Sequence, residues 1–71
     1  MFDYSYLKGR IAGYETIYSF DEIANKAGMN AEKLRNKLKG FPFEIEEINS
    51  LSNVLGIEED RLTESFFKIN K

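Results

Sequence analysis

Between residues 28 and 30 the chain reads Gly-Met-Asn, and these three residues restrict the fold more than any other stretch. Ser19 stands three residues before Glu22, the spacing at which hydroxyl and carboxylate each take an orphan backbone N–H at a helix start. Phe20, Ile23, Ala24 and Ala27 follow as one apolar stripe, and Gly28 suits the left-handed backbone that ends a helix. Asn30 is itself a good N-cap; Leu34 and Leu38 lie one turn apart behind it, and Gly40 is the next stop. Only Met29 separates the stop from the restart. Two short helices must therefore cross steeply, and Ala24 is small where their backbones approach. On physical grounds this is a helix-turn-helix.

The rest of the chain reads as further helices, with no convincing strand. A first helix runs from about Asp3, a plausible cap, to Gly13 or Tyr14, carrying Leu7, Ile11 and Tyr14 on one face. Gly9 and Gly13 weaken it, so it depends on packing more than on propensity. After the rigid connector Phe41-Pro42-Phe43, a fourth helix from about Glu44 to Leu55 buries Ile45, Ile48, Leu51 or Ser52, and Leu55. Glu44, Glu46 and Glu47 load its first turns, where the helix dipole favours negative charge, and Gly56 closes it. A fifth, from Glu58 to about Lys68, presents Leu62, Phe66 and Ile69. The expected fold is all-α: one compact domain of four or five helices spanning residues 1–71.

Composition then excludes whole classes of chemistry. The chain has neither cysteine nor histidine, which removes disulfides, thiolate metal sites, and the commonest general base and neutral metal ligand. Glu46 and Glu47 are adjacent on a helix and diverge; Glu44 and Glu47 share a face, but no paired acid–base arrangement with a pocket emerges. An enzyme is not expected, nor a cofactor. With no long apolar run and no signal-peptide pattern, a soluble cytoplasmic protein without membrane contact is expected. Charge is polarised within a net −2: residues 1–40 hold seven basic and five acidic side chains, residues 41–71 three basic and seven acidic. The most basic run is NAEKLRNKLK, residues 30–39, with four cations and one acid.

The stretch SFDEIANKAGMNAEKLRNKLKG, residues 19–40, resembles the helix-turn-helix of the Cro and lambda-repressor type. Ala24 in the scaffold helix, Gly28 in the turn, Leu34 and Leu38 in the recognition helix and terminal Gly40 carry the likeness. FEIEEINSLSNVLGI, residues 43–57, is similar to that family's next helix, and FDYSYLKGRI resembles the start of small phage-associated members encoded near lysogeny switches. The resemblance covers nearly the whole chain. It implies a lambda-repressor-like fold with a scaffold helix at about 20–27 and a recognition helix at about 31–39. It also implies a DNA-binding transcriptional regulator. Two positions depart from the pattern: Phe20 stands where many relatives open the scaffold helix with glutamine, and Ala31 where a polar base reader often opens the recognition helix.

With Leu34 and Leu38 inward, Glu32, Arg35, Asn36 and Lys39 face outward, flanked by Lys33. In a repressor-like docking Asn36 would pair with adenine, Arg35 or Lys33 would reach guanine or phosphate, and Lys37 and Lys39 would neutralise the backbone. Glu32 could accept from a cytosine amino group. The expected DNA-binding set is therefore Glu32, Lys33, Arg35, Asn36, Lys37 and Lys39. A solvated helix surface has the same composition, so charge alone does not separate the two. Lys8 and Arg10 are further phosphate contacts or simply solvated, and Phe41 and Phe43 are expected in the core. The partner expected first is an operator-like double-stranded DNA site bound by a homodimer, with Phe66 or Phe67 of LTESFFKINK as dimer anchor. The alternative is a protein-binding modulator or antirepressor whose partner is another repressor. Net acidity, apolar Phe20 and Ala31, and the acidic Glu32 within the basic run favour it.

Overall fold

Ser19 Oγ accepts from Glu22 N–H and Glu22 Oε1 accepts from Ser19 N–H, each at 3.1 Å, so the expected reciprocal cap is present. It starts the second of four α-helices in the computed structural model, which describes residues 1–69. These are α1 (Ser5–Tyr14), α2 (Phe20–Lys26), α3 (Ala31–Lys37) and α4 (Ile45–Leu55). A fifth helical segment follows, 3₁₀ over Glu59–Arg61 and π-type over Thr63–Phe67. The described residues form no strand; the one β-type pairing among them is an isolated antiparallel bridge between Phe2 and Ile69.

The turn between α2 and α3 is built as its sequence requires. Gly28 has φ +77°, and its N–H donates to Asn25 O at 3.0 Å while Met29 N–H reaches back to Ala24 O at 2.9 Å. That pair of bonds satisfies carbonyls at the end of α2 and draws the buried Met29 against it. Asn30 Oδ1 then accepts from Lys33 N–H at 2.7 Å and starts α3. Helix α3 ends at Lys37, two residues earlier than its periodicity predicts. Lys39 and Gly40 instead sit in a closing turn, their N–H groups donating to Asn36 O and Lys37 O. Lys39 thus projects from the turn and not from the helix.

One core joins all the elements. Leu7 and Ile11 of α1, Ile23 and Ala24 of α2, Leu34 of α3, Leu51 and Leu55 of α4, and Phe66 are all buried. Each large aliphatic side chain so buried contributes about 1.5 to 3 kcal/mol. Aromatic rings extend this core under the α3–α4 connector: Tyr4 meets Phe43 edge-on at 5.2 Å, and Phe43 meets Phe66 at 5.6 Å. The Tyr4 hydroxyl donates to Phe41 O at 2.5 Å, which fixes the connector from below. Arg10 donates to Leu55 O and Gly56 O at the C-terminus of α4. A guanidinium there meets the negative end of the helix dipole, so Arg10 is a structural cap and not a free phosphate contact.

Four expectations need correction. Ile45 is 75% exposed, about 80° from the centre of the stripe formed by Ile48, Leu51 and Leu55, on its exposed border. Glu47 lies as far off on the opposite border, and that border is buried. Phe41 is 52% exposed; its carbonyl, not its ring, faces inward. Phe66 is a core residue, which leaves Phe67, half exposed, as the aromatic available at the surface of that segment. The last helix is not regular α-helix: Ser65 Oγ donates to Arg61 O at 2.7 Å, and the chain is already extended at Lys68. Asp3 does serve α1, accepting from Ser5 N–H at 2.9 Å from one position before the N-cap Tyr4.

The two ends of the described chain hold one another. Phe2 N–H donates to Gly40 O at 3.2 Å, Asp3 N–H to Lys68 O at 2.7 Å, and the Lys68 ammonium lies 3.8 Å from the Asp3 carboxylate. The Ser5 hydrogen bonds, chiefly that of its hydroxyl, hold the Asp3 carboxyl below its ordinary pKa.

Candidate functional site

Burial of Leu34 and Leu38 sets the rotation of α3, and its charged residues then divide into two groups. Lys33 and Lys37, one turn apart, turn toward α4. The Lys37 ammonium donates to Glu47 Oε1, and the Lys33 ammonium lies 3.1 Å from Glu47 Oε2. Glu47 Oε1 also accepts from Glu44 N–H at 2.7 Å, so one carboxylate receives two cations and a backbone donor. The Glu47 side chain is 9% exposed and that of Lys37 17%, whereas Lys33 keeps 52%. The Lys37 ammonium also lies 5.7 Å from the Phe43 ring centre.

Burial is the largest influence on the Glu47 carboxyl and pushes its pKa up. Hydrogen bonds from Lys37, the Glu44 amide and Lys33, with the Lys37 charge, together outweigh burial and leave it below the ordinary 4.5. Glu47 is therefore the anionic pin between α3 and α4.

The second group faces away from the core. Glu32, Arg35, Asn36 and Lys39 are exposed, and Ala31 is half-buried. The Arg35 guanidinium lies over the ring of Phe20, 5.2 Å from its centre. Phe20, the first residue of α2, packs partly on the core and offers its remaining face to α3. The α2 surface is mixed: Asp21, Glu22, Asn25 and Lys26 are exposed, and the Lys26 ammonium sits 4.8 Å from the Tyr18 ring centre.

Of the six residues predicted from sequence, the structure thus brings Glu32, Arg35 and Asn36 together on the outward face of α3 and places Lys39 just beyond its end. Lys33 stands at the margin. Lys37 is held between helices, so its charge is not displayed on that face. Sequence reasoning missed Glu47, assigning it only to the dipole of α4. The local signals, Lys33 and Lys37 on one i,i+4 edge and the capping-box spacing of Glu44-x-x-Glu47, mark the two halves of this pairing without joining them.

A shallow depression of about 290 Å³ lies on the far side of α4, lined by Asn49, Ser52, Asn53, Ile57, Glu59 and Leu62. It contains no α3 residue. Among the described residues no cluster of acidic side chains is arranged to hold a metal ion, and no helix is long and apolar enough to cross a membrane. Comparisons with protein-family models, with curated proteins and with solved structures give no match.

Proposed function

We propose that the chain is a sequence-specific DNA-binding transcriptional regulator of phage or prophage type, with a Cro/lambda-repressor-like fold, acting in the cytoplasm. The observation that carries this reading is the outward face of α3. Arg35 and Asn36, the two side chains best suited to bidentate base recognition, stand exposed and adjacent on a helix fixed by two buried leucines and by Glu47. Lys39 flanks them as a phosphate contact, and Lys33, paired with Glu47, stands at the margin. A preformed helix presented this way has little conformational freedom to lose on entering a major groove. One seven-residue helix reads few bases, so binding as a homodimer to an inverted repeat is part of the proposal, with exposed Phe67 as an anchor.

The deciding experiment is a fluorescence anisotropy titration against duplexes from the gene's own neighbourhood and against random duplex, at several salt concentrations. Specific binding that weakens as salt rises is expected, because each neutralised phosphate releases counterions. Equal affinity for neighbourhood and random duplexes refutes the reading. Exposed Phe41 and Ile45, in the segment that follows α3, favour a second reading, a modulator that docks on another repressor. Co-purification of a neighbouring repressor without binding to DNA would select it.

A further inference from the structure

We infer that Phe20 and Arg35 form a single guanine-reading unit, in which Arg35 makes the base contact and Phe20 is its positioning residue. The inference rests on the DNA-binding reading and names what that face recognises. Its physical basis is the different fate of the cations on α3. The ammonium groups of Lys33 and Lys37 point at Glu47, so their charge is already partnered. Arg35 is held differently: its guanidinium lies over the Phe20 ring, 5.2 Å from its centre, and no hydrogen bond or ion pair among the described residues engages its N–H donors. The N–H donors of a guanidinium lie in its plane, along its edges. An edge carrying two parallel donors matches the O6 and N7 acceptors that guanine presents in the major groove.

An unsupported arginine on a helix surface samples many rotamers and must be ordered on binding. One held against an aromatic face is partly ordered beforehand. Phe20 is suited to that task because it is anchored itself: it opens α2 directly after the Ser19 cap, and part of its ring packs on the core. Phenylalanine offers no hydrogen bond and acts through Arg35.

The test is selection of binding sites from a randomised duplex pool with the full-length protein and four variants, with thermal melts confirming that each is folded. Wild type is expected to enrich a guanine at one position of each half-site. Arg35→Lys keeps the charge but removes the fork, so the guanine preference should fall by roughly 5- to 100-fold while affinity for random duplex changes little. Arg35→Gln should lose both the preference and part of the salt dependence. Phe20→Leu should weaken the preference about 2- to 5-fold, and Phe20→Tyr, which keeps the ring, should retain it. A folded Phe20→Leu protein with undiminished guanine preference overturns the role of Phe20. If Arg35→Lys lowers affinity equally for every sequence, Arg35 is a phosphate contact and the inference fails while DNA binding survives. A wild type that enriches no sequence removes the DNA-binding reading and this inference together.

Discussion

Replacing Glu47 with glutamine removes one negative charge from between two ammonium groups while leaving a side chain of nearly the same shape. Removing one partner of a fully buried ion pair costs about 3 to 5 kcal/mol, and an exposed pair contributes only about 0 to 1. The Glu47–Lys37 pair lies between these limits, with side chains 9% and 17% exposed, and Lys33 is exposed enough to regain water. The substituted glutamine would still accept from Glu44 N–H through its amide oxygen, so the cap survives without its charge. The expected loss is about 2 kcal/mol, most of it from Lys37 left poorly solvated. In a domain of this size that corresponds to a fall in Tm of roughly 8 to 16 °C.

Urea unfolding followed by the helical circular dichroism signal at pH 7 measures this loss. The slope against urea should stay unchanged, since no surface is exposed in the folded variant. The charge can be isolated by pH. Because the folded Glu47 pKa lies below its unfolded value of about 4.5, its stabilisation is complete above that value and disappears as pH falls through the lower folded one. The gap between wild type and Glu47→Gln should therefore close on acidification below about pH 5. A loss smaller than about 0.5 kcal/mol at pH 7, the range of ordinary surface substitutions, refutes the pin. A gap that persists to low pH would assign the effect to packing. Combining Glu47→Gln with Lys37→Met should cost less than the sum of the single changes, and strict additivity would contradict the coupling.

Four further outcomes follow from the fold and the proposed function. Gly28→Ala should cost about 1 kcal/mol because of the positive φ alone, since a Cβ there meets no neighbour, and Gly28→Asn should cost less; equal urea midpoints for the two would refute this. Gly9→Ala, in the middle of α1 with open space around its Cβ position, should stabilise by about 0.5 to 1 kcal/mol, read as a rise in Tm. Tyr4→Phe should cost about 1 kcal/mol by leaving Phe41 O without its donor; burial also raises the Tyr4 pKa, so its ultraviolet titration should begin above the ordinary tyrosine range. On the DNA-binding reading, Lys39→Gln should reduce the slope of log affinity against log salt by about one per bound subunit without changing the selected sequence.

Helix starts and stops were legible because their signals are local. Ser19 with Glu22, Asn30, and the glycines at 28 and 56 each act within one turn of the chain, so spacing alone reveals them. Orientation within the last helix was less legible. Phe66 and Phe67 are chemically identical; the Leu62–Phe66 spacing points to Phe66, and its packing against Phe43 shows that it is the one that enters the core. The candidate site was legible in its outline, since Leu34 and Leu38 fix which side of α3 faces out. Pairing of Lys33 and Lys37 with Glu47 was not, because it depends on how the Phe41-Pro42-Phe43 connector returns α4 alongside α3. Phe20 belongs to the apolar stripe of α2 and packs only partly on the core. Only three-dimensional placement of Arg35 reveals the function of its other face.

The mutual hold of the two chain ends, with Phe2 bonded to Gly40 and Asp3 to Lys68, has a dynamic consequence. Opening of a local segment exposes every amide whose partner moves with it, and such segments exchange hydrogen as cooperative units. Detachment of the extended Lys68–Ile69 segment releases the Asp3 amide; departure of the N-terminal residues then uncovers the Gly40 carbonyl at the exit from α3. Amides of Phe2 and Asp3 should therefore show similar protection against exchange, and truncation before Lys68 should lower it for both. Residues some sixty positions apart in sequence become one unit of motion, and that unit ends where α3 meets its connector.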